Sequence, residues 1–175
     1  MILQMNSYYV TRILLLAGMC LAGACSYSVS VNDNVVYTPE PLFADYQIAD
    51  DNLRRCIEQT IADKKITSAS QLTFLNCSSA GIANLAGLER FDGLEELNLA
   101  SNQLKTVAPL NKLTRLKTLV LRENQLMSVA PLLGLLKLVQ LDLEKNSHLD
   151  CTDVNQLAMN MKETNAEILK PEQCR

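Results

Sequence analysis

Leu94-Glu95-Glu96-Leu97-Asn98-Leu99-Ala100-Ser101-Asn102-Gln103-Leu104 decides the fold, because its spacing returns at Leu116-Lys117-Thr118-Leu119-Val120-Leu121-Arg122-Glu123-Asn124-Gln125-Leu126, 22 residues on. Shifting the chain against itself by that interval aligns Leu72, Leu94, Leu116 and Leu138, then Leu75, Leu97, Leu119 and Leu141, then Cys77, Leu99, Leu121 and Leu143. Asn102, Asn124 and Asn146 form the next column, where Ala80 is the exception. Ile82, Leu104 and Leu126 follow, and then Leu85, Val107, Val129 and Cys151. The last two columns are Leu88, Leu110, Leu132 and Val154, and Phe91, Leu113, Leu135 and Leu157.

Alternation across Leu97, Asn98 and Leu99 has the period of a strand with one buried face, and its regular recurrence stacks those strands in parallel. A single turn cannot bury its leucines alone, so each rung depends on the next. The asparagines suit a ladder of side-chain amides that bond backbone groups at the bend after each strand. Pro109 and Pro131 predict irregular or 3₁₀ returns, since proline supplies no N–H to a long helix. A coiled coil is excluded: 22 is not a multiple of seven, and Pro109, Pro131 and Gly134 interrupt any continuous helix.

The pattern L-x-x-L-x-L-x-x-N-x-L resembles the leucine-rich repeat family, in the 22-residue form of bacterial internalin-like proteins. The resemblance implies an α/β fold, a short right-handed leucine-rich repeat solenoid of about four turns, with a parallel sheet on its concave face and a helical cap at each end. The first cap is assigned to residues 46–71: Leu53, Cys56, Ile57 and Ile61 recur at helical spacing, with Asp50 or Asp51 as N-cap. Asp51-Asn52-Leu53-Arg54-Arg55 leading to Ile66-Thr67 also resembles the internalin-like N-terminal cap. The repeats occupy 72–159, and a second cap at 150–175 overlaps them, with Val154, Leu157, Ala158 and Met161 on one helical stripe.

The N-terminus resembles that of a bacterial lipoprotein. Arg12 is the one charge in residues 1–24, and the apolar run from Ile13 to Ala24 is shorter than the roughly 20 residues that cross a bilayer. Leu21-Ala22-Gly23-Ala24-Cys25 resembles a lipobox, with Ala22 where leucine is usual. This implies a signal peptide over 1–24, acylation of Cys25, a polar tether over 25–45, and, from Ser26, the outer membrane as destination. Ala22-Gly23-Ala24 also fits an ordinary secretory site, which would release an unanchored protein. Within the tether, Val35-Val36-Tyr37 offers a short strand as the rival to an extended spacer.

Six cysteines become five when Cys20 leaves with the signal and four when Cys25 is acylated, an even number for an oxidising compartment. From their placement on the caps and the first strand, Cys56 is expected to pair with Cys77 and Cys151 with Cys174, one of three possible connectivities. A zinc site at His148 and Cys151 is disfavoured, because His148 is the sole histidine and no C-x-x-C exists.

Function is then sought on the outward strand positions. One column holds Phe74, Glu96, Thr118 and Gln140; the next Asn76, Asn98, Val120 and Asp142; the third Ser78, Ala100, Arg122 and Glu144, with Val120 and Ala100 as exposed apolar positions. Such a broad shallow surface suits a protein partner better than a small molecule. Net charge of -3 and a pI of about 5.2 exclude a nucleic-acid role. No nucleophile motif, phosphate loop or acid–base pair points to an enzyme, and no cofactor is expected. The expected protein is a monomeric, membrane-anchored interaction module, with a partnerless envelope lipoprotein and a secreted binding protein as alternatives.

Overall fold

The computed structural model describes residues 29–31, 34–37, 40–162 and 166–175. The signal segment and Cys25 lie outside them. The chain divides into two units, Met1–Glu40 and Pro41–Arg175. In the first, strands β1 (Val29–Val31) and β2 (Asn34–Tyr37) pair antiparallel, so the Val35-Val36-Tyr37 segment is a strand.

The second unit opens with helix α1 (Asp51–Lys64) and continues through β3 (Phe74–Asn76), β4 (Glu96–Asn98), β5 (Thr118–Val120) and β6 (Gln140–Asp142). Helix α2 (Cys151–Lys162) and β7 (Glu167–Leu169) complete it. The five strands β3 to β7 form one sheet in sequence order, every neighbouring pair parallel. Leu75 lies beside Leu97, Leu97 beside Leu119 and Leu119 beside Leu141, so the 22-residue interval of the sequence is the register of the sheet. The returns at Leu88–Arg90, Ala108–Lys112 and Ala130–Leu132 are 3₁₀ segments, and Pro109 and Pro131 stand in the first turn of the latter two.

The inward leucine columns are sealed, with Leu72, Leu94, Leu116, Leu119, Leu121 and Leu143 at 0% exposure. At roughly 1.5–3 kcal/mol for each buried aliphatic side chain, these columns supply the main favourable term in folding. Between them runs the asparagine ladder. Asn124 Nδ2 donates to the carbonyls of Leu99, Leu121 and Arg122, and its Oδ1 accepts from Leu104 N–H. Asn102 and Asn146 repeat this pattern on their own turns. Each amide thus serves its own bend and the turn before it. The residue preceding each asparagine, and its equivalent in the first turn, is left-handed: Ser79, Ser101, Glu123 and Lys145 have φ of 55°, 56°, 58° and 56°.

The first turn has no preceding repeat, and the helix start takes over the task. Asp50 is the N-cap, its Oδ1 accepting from the N–H groups of Asn52 and Leu53. Its Oδ2 accepts from Ala83 and Asn84, and Asn52 Nδ2 donates to Gly81 O. Leu53, Ile57 and Ile61 close the core beneath. The Cys56–Cys77 bond ties this cap to the first strand across a separation of 21 residues, and Cys151–Cys174 ties the second across 23. Each closes a loop worth about 3 kcal/mol in the chain-entropy account.

Two expectations need correction. The tether does not run to Asp45, because Phe43 and Tyr46 pack on the fully buried Phe91, ring centroids 6.0 and 5.2 Å away, and Phe43 N–H donates to Ile66 O. Residues 41–49 therefore belong to the repeat-bearing unit, held by aromatic contacts that have no periodic signature. After α2 the chain also adds β7, with Ile168 beside Leu141, where the sequence reading ended the sheet at β6. His148 is exposed and Leu149 is buried, in keeping with the slip expected in the last repeat.

Replacing Asn124 with Ala leaves the buried Leu104 N–H without its acceptor, at about 1–3 kcal/mol, while the Leu99, Leu121 and Arg122 carbonyls each keep one donor, from Asn102, Asn146 and the Ser101 N–H. Urea unfolding of Asn124→Ala is therefore expected to show a loss of about 1–3 kcal/mol.

Candidate functional site: the outward strand face

In-register stacking sets the outward residues of successive turns side by side, about 4.8 Å apart along the sheet. The first column is the open one: Phe74, Glu96 and Gln140 are exposed, Thr118 is half-buried, and β7 adds the exposed Glu167. Lys64 Nζ, from the last turn of α1, sits 4.5 Å from the centroid of the Phe74 ring, within cation–π range.

The second column is partly turned inward on itself. Asn76, Asn98 and Asp142 each accept, through Oδ1, the N–H two residues on, closing the strand end as an Asx turn. Val120 cannot do so. Leu169 extends this column at 37% exposure. Asp142 and Ala100, expected to be open, are covered at 8% each. Asp142 turns back to its own backbone and lies 3.9 Å from Arg122 Nε, whereas Ala100 is too short to reach past its neighbours. In the third column Ser78 is exposed, Arg122 and Glu144 are half-buried, and Glu144 is bonded by the Arg175 guanidinium.

Flanking the strands, Lys117 Nζ donates to Glu95 Oε2 at 2.6 Å, and Ser101, Glu123 and Lys145 link along the left-handed bend. Hydrogen bonding by Lys117, aided by the charges of Lys117, Arg115 and Lys137, holds the Glu95 carboxyl below its ordinary value. The Ser101 hydrogen bond, with Lys145 and Arg122, does the same for Glu123. Both shifts move away from neutrality, the wrong direction for a general acid at physiological pH. Among the described residues no group of three or more His, Cys, Asp or Glu is placed to hold a metal, and no helix is long and apolar enough to cross a membrane. A cavity of about 570 Å3, lined by Asp45, Tyr46, Gly87, Glu89 and Arg90 among others, lies beside the N-terminal segment rather than on the strands.

No protein-family model and no curated protein matches the chain. Solved structures do. An internalin from Listeria monocytogenes, InlF, is 21% identical with a TM-score of 0.58 over 70% of this chain and 43% of its own. Internalin C2 from the same organism is 23% identical with a TM-score of 0.60, over 74% and 59%. The functional domain of InlJ, also from Listeria monocytogenes and described as including a cysteine ladder, is 25% identical with a TM-score of 0.54, over 69% and 26%. The fold is a short leucine-rich repeat solenoid. The chain spans less than two thirds of each of these internalins.

Sequence reading missed Glu167 and Leu169, which continue the first two columns. Their strand has only three residues and lies 27 positions after its partner instead of 22, so the period gave no signal.

The carboxylates predict an acid-labile fold. Burial pushes the Asp50 carboxyl up, but hydrogen bonds from the N–H groups of Ala83, Leu53, Asn84 and Asn52 outweigh it, leaving the net value below the ordinary one. Lowered folded values mean stability that is fully present above the unfolded values, about 3.9 for Asp and 4.3 for Glu, and lost as pH falls through the folded ones. The unfolding midpoint is expected to hold from pH 7 to about 5 and to fall below about 4. Asp50→Asn should flatten that acid limb more than Glu95→Gln, whose exposed pair is screened by salt.

Proposed function

We propose that this chain is a non-enzymatic protein-interaction module that docks a protein partner on the outward strand face of its solenoid. One observation carries the reading. Along the first column the same structural position is filled by Phe74, Glu96, Thr118, Gln140 and Glu167, an aromatic, a hydroxyl, an amide and two carboxylates, while the inward column beside it is Leu75, Leu97, Leu119, Leu141 and Ile168. The fold constrains the second set and leaves the first free for recognition. Phe74, at 41% exposure and backed by Lys64, is the anchor of the face, since partly exposed aromatics concentrate binding energy at interfaces. Glu96, Gln140 and Glu167 supply polar contacts around it, and Asn76, Asn98, Thr118, Val120, Arg122, Asp142 and Glu144 frame it.

The module is held at the bacterial cell envelope by an acyl group on Cys25, exported by the 1–24 segment, with Ser26 directing it to the outer membrane. The Leu21-Ala22-Gly23-Ala24-Cys25 sequence supports this anchor, as does the pairing of the remaining four cysteines in two bonds.

Crosslinking from intact envelopes is expected to enrich a protein partner whose recovery falls at least tenfold with Phe74→Ala or Glu96→Lys, with unfolding temperature unchanged. Enrichment indifferent to both substitutions removes the face from the interaction. Independently, Cys25→Ser is expected to move the protein from the detergent phase to the aqueous phase, and intact mass should report the acyl groups together with two disulfides.

A further inference from the structure

The same internal comparison exposes a second surface on the other side of the molecule. Where the first turn has Asp92 and the second Thr114, the third has Leu136, and Glu89 and Asn111 give way to Leu133. The fold therefore accepts polar residues at these positions, yet Leu136 is 77% exposed. A groove of about 410 Å3 opens here, walled by Leu133, Leu136 and Leu138 of the last 3₁₀ return and its continuation, and by Leu157 and Met161 of α2. It lies where a wide α-helix follows a narrow 3₁₀ return. Its volume suits one or two large apolar side chains.

Among the described residues, the charges adjoining these groove residues along the chain are cations. Lys137 stands between Leu136 and Leu138, Arg115 occupies the same position one turn earlier, and the exposed Lys162 follows Met161. None of the three forms an ion pair among the described residues. Glu95, on which Arg115 and Lys137 both act, is already engaged by Lys117 at 2.6 Å. An apolar recess beside unpaired cations calls for the complementary occupant.

The geometry points to a docking groove for an acidic peptide segment of another protein, one that inserts a leucine, isoleucine or phenylalanine between Leu136 and α2 and sets its carboxylates against Arg115 and Lys137. The chain's own apolar stretch does not qualify, since residues 1–24 contain no carboxylate. A bilayer does not fit either, because it cannot follow the surface down into a recess between two elements.

The test is selection of a random dodecapeptide library on the immobilised protein, followed by fluorescence anisotropy with the enriched peptides. Enriched sequences should combine a large apolar residue with two or more Asp or Glu. Leu136→Asp and Lys137→Glu should each weaken binding at least tenfold, and added salt should weaken it further. Lys105→Glu, which reverses an exposed cation not bordering the groove, should leave binding unchanged. High exposure at Leu136 means the variant keeps its fold, checked by an unaltered unfolding temperature. No enrichment, neutral or basic winners, or peptides that bind Leu136→Asp equally would overturn the proposal. Leu136-dependent binding to phosphatidylglycerol vesicles without peptide binding, or Leu136-dependent self-association in light scattering, would equally overturn it by naming a different occupant. Because these residues lie off the outward strand face, failure here leaves that face untouched, and the reverse also holds.

Discussion

Each turn of this solenoid leaves the sheet at a bend whose buried carbonyls have no strand partner, and side-chain amides of successive turns converge on them, as Asn102 and Asn124 do on Leu99 O and Asn124 and Asn146 on Leu121 O. Asn102, Asn124 and Asn146 do this with two hydrogens shared among three carbonyls and one accepted bond apiece. Two of these contacts on each asparagine, one donated and one accepted, run backward to the turn before, so cohesion is polar as well as apolar. Leucine burial alone would tolerate sliding between turns, since it is not directional. The amides fix both spacing and register, because a slip of one residue separates them from their carbonyls.

That fixed register explains two other features. Left-handed conformations at Ser79, Ser101, Glu123 and Lys145 cost roughly 1–2 kcal/mol per residue without glycine, and they persist because ladder and strand on either side over-determine the bend. Register also turns residues distant in sequence into neighbours. Glu95 meets Lys117 and Ser101 meets Glu123 only because positions 22 apart lie side by side. The polar surface is thus written by the repeat as firmly as the core.

Legibility in the sequence follows the same line. What repeats could be read: the inward columns, the asparagine ladder, the 3₁₀ returns at Pro109 and Pro131, and the placement of Cys77 on an inward position opposite Cys56 of the cap. What occurs once could not. Phe43 packs on Tyr46 and Phe91 through ring contacts with no period, so it read as tether. Asp142 is covered where it lies beside Leu169 of β7, a strand without the period, whereas Asn76 makes the same Asx turn and stays exposed. The groove beside Leu136 depends on a helix replacing a 3₁₀ return, a change of shape that the leucine columns continue through without interruption at Val154 and Leu157.

The ends of the sheet are closed to strand pairing for a physical reason. An open sheet edge invites pairing with another chain, and β7 is the outermost strand of this sheet. Its edge is poor bait, being three residues long, opening on Glu167, and followed by Lys170 and by Pro171, which has no N–H to offer. The surrounding side chains are committed elsewhere: Lys170 Nζ donates to Asn155 Oδ1, Gln173 Nε2 to Asn146 O, and Arg175 to Glu144. At the opposite end α1 covers the first turn, with Asp50 and Asn52 bonding its backbone. With one end capped and the other blunted, outward side chains remain as the places where this fold can meet a partner without rebuilding its sheet.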